Sequence, residues 1–154
     1  MGRSEEPCQA GRRREERDVR TLLNIIWLVF GGLWLALGYA LAGVVLCLLV
    51  VTVPLGVAAF RMASYALWPF GRAVVERPGT GAGAVVLNVV WIVVAGWWLA
   101  LGHVTTAVAQ AVTVVGIPLA VANLKMLPVS LVPYGKDIVP SDALPPGSRP
   151  LHSI

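Results

Sequence analysis

The sequence predicts an all-α integral membrane protein of two parallel repeats, each a helical hairpin, with about four transmembrane helices in all. Three observations predict it: two long uncharged blocks, an internal repeat, and basic residues confined to the ends of those blocks. The 154 residues are 57% hydrophobic and 13% charged, about half the charged share of soluble domains. No formal charge lies between Thr21 and Phe60 or between Pro78 and Leu124, gaps of 40 and 47 residues. A bilayer core about 30 Å thick takes about 20 apolar residues as a helix, so each gap is long enough for two crossings. Composition thus excludes a disordered chain and a soluble enzyme core.

The first element, residues 1–20, is a charged tail expected to be cytoplasmic and disordered. It carries six of the twelve basic residues: Arg3, Arg12, Arg13, Arg14, Arg17 and Arg20. The net charge of +4 would suggest nucleic acid in a soluble protein. This tail has no interleaved aromatics and no groove-reading motif, and Glu15, Glu16 and Asp18 dilute it, so no nucleic-acid partner is expected. The remaining bases, Arg61, Arg72, Arg77, Lys125, Lys136 and Arg149, also lie outside the uncharged blocks. Two crossings per block put all twelve on one face, and basic loops stay in the cytoplasm. The apolar stretch is too long for a cleaved signal, and Glu6 stands where a myristoylation signal has Ser or Thr. Cys8 and Cys47 are separated by this topology and have no Cys or His partner nearby, which leaves no zinc or redox motif.

The two membrane repeats are residues 21–75 and 85–139. An offset of 64 positions aligns them without a gap, with 22 identities in 55 pairs. Asn24 meets Asn88, Trp27 meets Trp91, Gly32 meets Gly96, and Trp34-Leu35-Ala36-Leu37-Gly38 meets Trp98-Leu99-Ala100-Leu101-Gly102. Pro54 meets Pro118, Met62 meets Met126, and Arg61 and Arg72 meet Lys125 and Lys136. Low-complexity apolar sequence does not align rare Trp, Asn and Pro in this way. An even number of crossings per repeat makes the repeats parallel, whereas an odd number would invert them and set the basic loops in conflict.

Within each repeat, Gly38 and Gly102 interrupt the apolar run near its middle and are expected to reverse the chain. His103 then falls in the outer turn as a solvated residue. Gly32 with Ala36, and Gly96 with Ala100, place small residues four apart for close helix packing. Asn24 and Asn88 suit packing or capping, and the tryptophans suit the membrane interface rather than an aromatic cage. Pro54 and Pro118 admit two geometries. Either they kink a membrane helix and free the carbonyls of Val50 and Val114, as around transport sites, or the helix ends there and Leu55–Trp68 lies along the interface. Residues 76–84 read as a Gly-rich linker, and 140–154 as a Pro-rich disordered tail.

The turns Pro69-Phe70-Gly71-Arg72 and Pro133-Tyr134-Gly135-Lys136 share the order Pro, aromatic, Gly, base. Proline fixes the turn, glycine relieves the exit, and the base can meet lipid phosphate, so Arg61, Arg72, Lys125 and Lys136 are the candidate lipid-facing bases. With Leu22-Leu23-Asn24-Ile25, Gly96-Trp97-Trp98-Leu99, His103, Ala109-Gln110, Val115-Gly116-Ile117-Pro118 and Ala122-Asn123-Leu124-Lys125, these turns resemble the YccF family of bacterial inner-membrane proteins. The resemblance covers about residues 20–139. It implies a small multi-pass protein of the bacterial inner membrane without a settled activity.

No acid lies between Asp18 and Glu76 or between Glu76 and Asp137, so the spans hold no carboxylate for proton or cation coupling. No catalytic triad, metal spacing or phosphate loop is present, and neither an enzyme nor a cofactor is expected. Two functions fit. The first is an accessory or interaction protein that presents a basic cytoplasmic face to the lipid bilayer, to its own copies or to another membrane protein. The second is a small oligomeric channel or transporter whose path runs by Pro54, Pro118, Gln110 and Asn123, with Asn24, Asn88 and Thr113 nearby.

Overall fold

A computed structural model describes residues 6–49, 52–144 and 150–154. Expectations for Arg3, the Cys8 side chain, the Val50 carbonyl, Pro145, Pro146 and Arg149 lie outside the described residues. The chain is mostly helical, with α1 (Glu6–Trp27), α2 (Leu33–Leu48), α3 (Val53–Leu67), α4 (Ala82–Trp91), α5 (Trp97–Ala111) and α6 (Gly116–Leu131). It is not all-α. Three short strands, β1 (Arg72–Glu76), β2 (Lys136–Pro140) and β3 (Pro150–Ser153), form an antiparallel sheet in the order β2-β1-β3.

Two helical stretches, Gly11–Leu48 and Ala82–Ala111, are long and apolar enough to cross a membrane, and α3 and α6 are shorter apolar helices. The outward faces are apolar, with Phe30, Trp34, Leu41, Val93 and Trp98 all more than 60% exposed. A protein in water does not leave so much contiguous apolar surface uncovered.

Residues 11–20, expected to be disordered, continue α1 as exposed helix. An apolar helix below supplies the nucleus, and each further residue adds a hydrogen bond at little cost. Arg12 and Glu16, and Arg14 and Asp18, stand four apart where opposite charges support a helix. The end of the Pro-rich tail is also ordered, because Pro150–Ser153 pairs with β1.

Each long stretch widens into a π turn, Leu28–Gly32 in the first repeat and Ile92–Gly96 in the second. The two share one contact, and the first is also kinked at Gly31. Trp27 Nε1 donates to the Ala66 carbonyl at 2.7 Å, and Trp91 Nε1 to the Ser130 carbonyl at 2.7 Å. A side chain on Gly32 or Gly96 would run into the indole of the tryptophan five residues earlier. The widened turn and the missing Cβ together let the buried indole reach across to the next helix.

The chain does not reverse at Gly38 and Gly102, which lie inside α2 and α5. A Cβ on Gly38 would touch Leu99 at 3.6 Å, and one on Gly102 would touch Leu35 at 3.5 Å. These glycines seat a leucine from the other repeat, so their smoothness serves packing. The reversals come later, between α2 and α3 and between α5 and α6. There Thr52 Oγ1 donates to the Leu46 carbonyl at 2.6 Å, and Thr113 Oγ1 accepts from the Gly116 amide at 3.0 Å. In both reversals a threonine hydroxyl thus satisfies a main-chain group that a helix end leaves without an intrahelical partner.

Leu35 with Gly102, Gly38 with Leu99, and Tyr39 with His103 are contacts between equivalent faces of the two repeats. Exchanging the repeats turns Leu35–Gly102 into Leu99–Gly38 and leaves Tyr39–His103 in place, so the hairpins meet about a pseudo-twofold axis. The sheet obeys the same axis. In the β1–β2 register Val74 faces Ile138, its own counterpart, and Arg72–Pro140 and Glu76–Lys136 are equidistant on either side. The core around the axis is filled by Trp27, Tyr39, Met62, Tyr65, Val74, Trp91, Met126 and Val129, all at most 1% exposed.

Candidate functional site

Two arrangements concentrate the polar chemistry of the described residues. One is a chain of side chains buried between the hairpins. The other is the basic sheet.

The buried chain begins on the pseudo-axis, where Tyr39 Oη lies 3.0 Å from His103 Nε2. His103 Nδ1 is 2.8 Å from Asn123 Oδ1, and Asn123 Nδ2 donates to Gln110 Oε1 at 2.7 Å. Gln110 Nε2 closes the chain on the Phe30 carbonyl at 3.4 Å, inside the first π turn. The amide orientations fix the imidazole. Asn123 Oδ1 can only accept, so Nδ1 carries the hydrogen and Nε2 accepts from the tyrosine. All the donors then point one way, from Tyr39 to Phe30, without a charged group. Gly31 makes the last step possible, because a Cβ there would lie 2.9 Å from Gln110 Nε2.

The three middle links of the chain, His103, Asn123 and Gln110, all come from the second repeat. The counterparts of His103, Gln110 and Asn123 are Tyr39, Leu46 and Ala59, so two of the three polar positions are apolar in the first repeat. His103 and Gln110 are seven apart on one face of α5, and Asn123 faces them from α6. His103 is fully buried, contrary to the solvated outer-turn residue expected from sequence, because the reversal lies nine residues further on. The Gln110 end opens on a cavity of about 240 Å³ lined also by Ile26, Phe30, Thr113, Gly116 and Leu119.

Of the two proline geometries, the kink is corrected and the helix end before the proline is the one found. Pro54 sits in the first turn of α3, and Pro118 is the third residue of α6. At a helix start proline removes an amide that has no intrahelical partner, so neither residue kinks a helix. The proline inside a helix is Pro128, in α6. The small residues fall as follows: Gly32 faces Trp27 and the Ala66 carbonyl, Gly96 faces Trp91, and Ala36 and Ala100 are buried between helices.

Asn24 and Asn88 anchor the two proline turns. Asn24 Nδ2 donates to the Phe70 carbonyl and its Oδ1 accepts from the Phe70 amide, both at 3.0 Å. Asn88 makes the same pair with Tyr134 at 3.0 and 2.9 Å. Gly71 and Gly135 take φ of +91° and +84°, the left-handed conformation that only glycine adopts freely.

The turns deliver Arg72 and Lys136 to the sheet, and Arg61 and Lys125 reach it from α3 and α6. Arg61 and Arg77 both pair with Asp137, Arg61 at 3.1 Å. The Arg77 guanidinium beside Asp137 holds that carboxyl below the usual carboxylate range, and Arg61 adds to the effect. Lys125 Nζ donates to the Ser153 carbonyl at 3.0 Å, and Lys136 Nζ to the Pro128 carbonyl at 3.4 Å. Partial burial pushes the Lys136 ammonium down. Tyr134 Oη donates to the Pro54 carbonyl at 2.7 Å, and burial pushes its phenol up to about 12. A cleft of about 420 Å³ lies beside β2, lined by Val57, Phe60, Arg61, Ser64, Arg72 and Ile138.

Comparison with known proteins places these features in a family. The inner membrane component domain called YccF matches residues 22–72 and again residues 86–136. Two relatives, both called inner membrane protein YccF, come from Escherichia coli (strain K12) and Shigella flexneri. Each is 35% identical over 130 residues, covering 79% of this chain and 88% of the relative. No solved structure matches.

Proposed function

The chain belongs to the YccF family of inner membrane components, and from that premise we propose that it is a multi-pass accessory protein of the bacterial inner membrane. Its basic sheet faces the cytoplasm and engages lipid headgroups and another membrane protein or a second copy. It acts by binding, not by catalysis, and takes neither a cofactor nor nucleic acid.

One observation carries the reading. β1 precedes the second hairpin and β2 follows it, yet the two pair in a single sheet. A polar sheet bearing Arg72, Glu76, Lys136 and Asp137 belongs on one side of a membrane, so the second repeat enters and leaves on that side. The first repeat, 40% identical to it, does the same. The segments before the first hairpin and after the second then lie on the same side as the sheet, which the basic residues assign to the cytoplasm.

The channel reading draws on the Gln110 cavity. Reconstitution separates the two. The accessory reading predicts ion and solute fluxes in vesicles equal to those of empty ones, and no change on Gln110→Leu or Asn123→Leu. Flux above empty vesicles that either substitution abolishes at equal membrane abundance would replace it with the channel.

A further inference from the structure

The two outer edges of the sheet are equivalent by the pseudo-twofold, but they are not equally covered. On β1 the outer edge is taken by the chain's own C-terminal strand. Ile154 N donates to the Arg72 carbonyl at 3.1 Å, Gly71 N donates to the Ile154 carbonyl at 2.7 Å, and Val74 faces His152. Lys125 ties the strand down through the Ser153 carbonyl.

The edge of β2 is the counterpart. Arg77 N donates to the Gly135 carbonyl and Ser141 N to the Gly71 carbonyl, so the odd-numbered residues of β2 bond inward to β1. In an antiparallel ladder the alternate residues Lys136, Ile138 and Pro140 then turn their main-chain groups outward. Among the described residues no strand pairs with them. Arg61, the counterpart of Lys125, donates from Nη2 to the Lys136 carbonyl at 3.2 Å. That carbonyl is the counterpart of Arg72 O, which β3 occupies. The 420 Å³ cleft opens beside this edge.

The geometry points to β2 as a docking edge for an extended segment of a partner protein, added as a fourth strand in the manner of β3, with a carboxylate side chain opposite Ile138. Main-chain bonds to an open edge supply affinity and the side-chain pocket supplies selectivity. In β3 the residue at this position is His152, which lies in the field of Lys125 and Lys136. The corresponding position on β2 faces their counterparts Arg61 and Arg72, whose permanent charges favour an acid there. The inference deepens the accessory reading by naming the kind of partner. It requires only the folded protein, so it stands or falls independently of membrane orientation.

The test uses the full chain in nanodiscs of zwitterionic lipid and two labelled pentapeptides, the β3 sequence Pro-Leu-His-Ser-Ile and its Glu form Pro-Leu-Glu-Ser-Ile. The Glu form should bind saturably and about tenfold more tightly than the His form, the scale of one charge-assisted hydrogen bond. Amide exchange should slow in 136–140 and stay unchanged in 72–76. Ile138→Pro removes an outward amide without removing a bond to β1, and should abolish binding while 72–76 stays protected. Arg61→Ala should erase the preference for Glu and so keeps the test sharp if the proline variant misfolds. Three results would overturn the inference: no saturable binding, faster exchange in 72–76 because the peptide displaces β3, or protection of 136–140 by phosphatidylglycerol without peptide, which would make the cleft a headgroup site.

Discussion

Tyr39 and His103 occupy the same position in the two repeats and hydrogen-bond to each other across the pseudo-axis, Oη to Nε2 at 3.0 Å. Divergence at one aligned site has turned a pair of equivalent residues into a donor and an acceptor. The contact joins the two hairpins where few others do, and it starts the buried chain that ends at Phe30. Tyr39→Phe should cost about 0.6–1 kcal/mol, the usual worth of an interhelical hydrogen bond in a bilayer. His103→Leu should cost about 2 kcal/mol or more, because it strands both the Tyr39 hydroxyl and the Asn123 carbonyl oxygen. Unfolding titrations of the two single variants and the double variant in mixed micelles check this, and the double should be less than additive.

Glycines at two kinds of position should respond differently to one added methyl. Gly32→Ala drives a Cβ into the Trp27 indole and to 3.0 Å from the Ala66 carbonyl, so the Trp27–Ala66 hydrogen bond is lost. Overpacking of this kind costs about 1–3 kcal/mol. Gly38→Ala meets Leu99 at an ordinary 3.6 Å and should change stability by less than about 0.5 kcal/mol. Melting temperatures and the tryptophan emission maximum of the two variants report the contrast.

The asparagine anchors make a paired prediction. Asn24→Leu leaves the buried amide and carbonyl of Phe70 without partners, at about 1–3 kcal/mol each. Asn88→Leu does the same to Tyr134, with a smaller loss because Asn88 is 9% exposed and water can substitute. Limited proteolysis near Arg72 and near Lys136 should rise selectively in the corresponding variant.

Acid should loosen the sheet in two stages. Burial, with Lys125 and Lys136 nearby, holds the His152 imidazole below its ordinary value of 6.5, so the folded state prefers it neutral. Its contribution to holding β3 is therefore present above pH 6.5 and is lost as pH falls below that value. The Asp137 carboxyl is held below 3.8 by Arg77 and Arg61, so its pairing is intact above pH 3.8 and is lost only as pH falls further. Amide exchange, corrected for intrinsic rates, should accelerate first in 150–154 and later in 136–140. His152→Gln should remove the first stage and Asp137→Asn the second.

Much of the membrane layer was legible in the sequence because its signals are local and doubled. The uncharged gaps mark the apolar stretches, and the 64-residue offset pairs Asn24 with Asn88 and Trp27 with Trp91 before any contact is known. The sheet was not legible. Arg72–Glu76 and Lys136–Pro140 are five residues each, and the pairing that makes them strands joins segments 60 or more positions apart. Gly38 and Gly102 misled because glycine marks breaks in water but is a seat against a second helix, whereas Pro54 and Pro118 fit the geometry in which one helix ends before the proline and the next carries it in its first turn. His103, Gln110 and Asn123 were visible as motif residues. Their assembly into one chain became visible only once α6 lay against α5.

The central claim, that both repeats enter and leave on the cytoplasmic side, is tested most directly by single cysteines at Leu48, Gly79, Val112 and Ser141 in a background lacking Cys8 and Cys47. An impermeant maleimide applied to intact cells should label Leu48→Cys and Val112→Cys at the two reversals, with Gly79→Cys and Ser141→Cys labelled only after permeabilisation. Labelling of Gly79→Cys or Ser141→Cys in intact cells would contradict the shared cytoplasmic sheet, and silence at both reversals would contradict the four crossings.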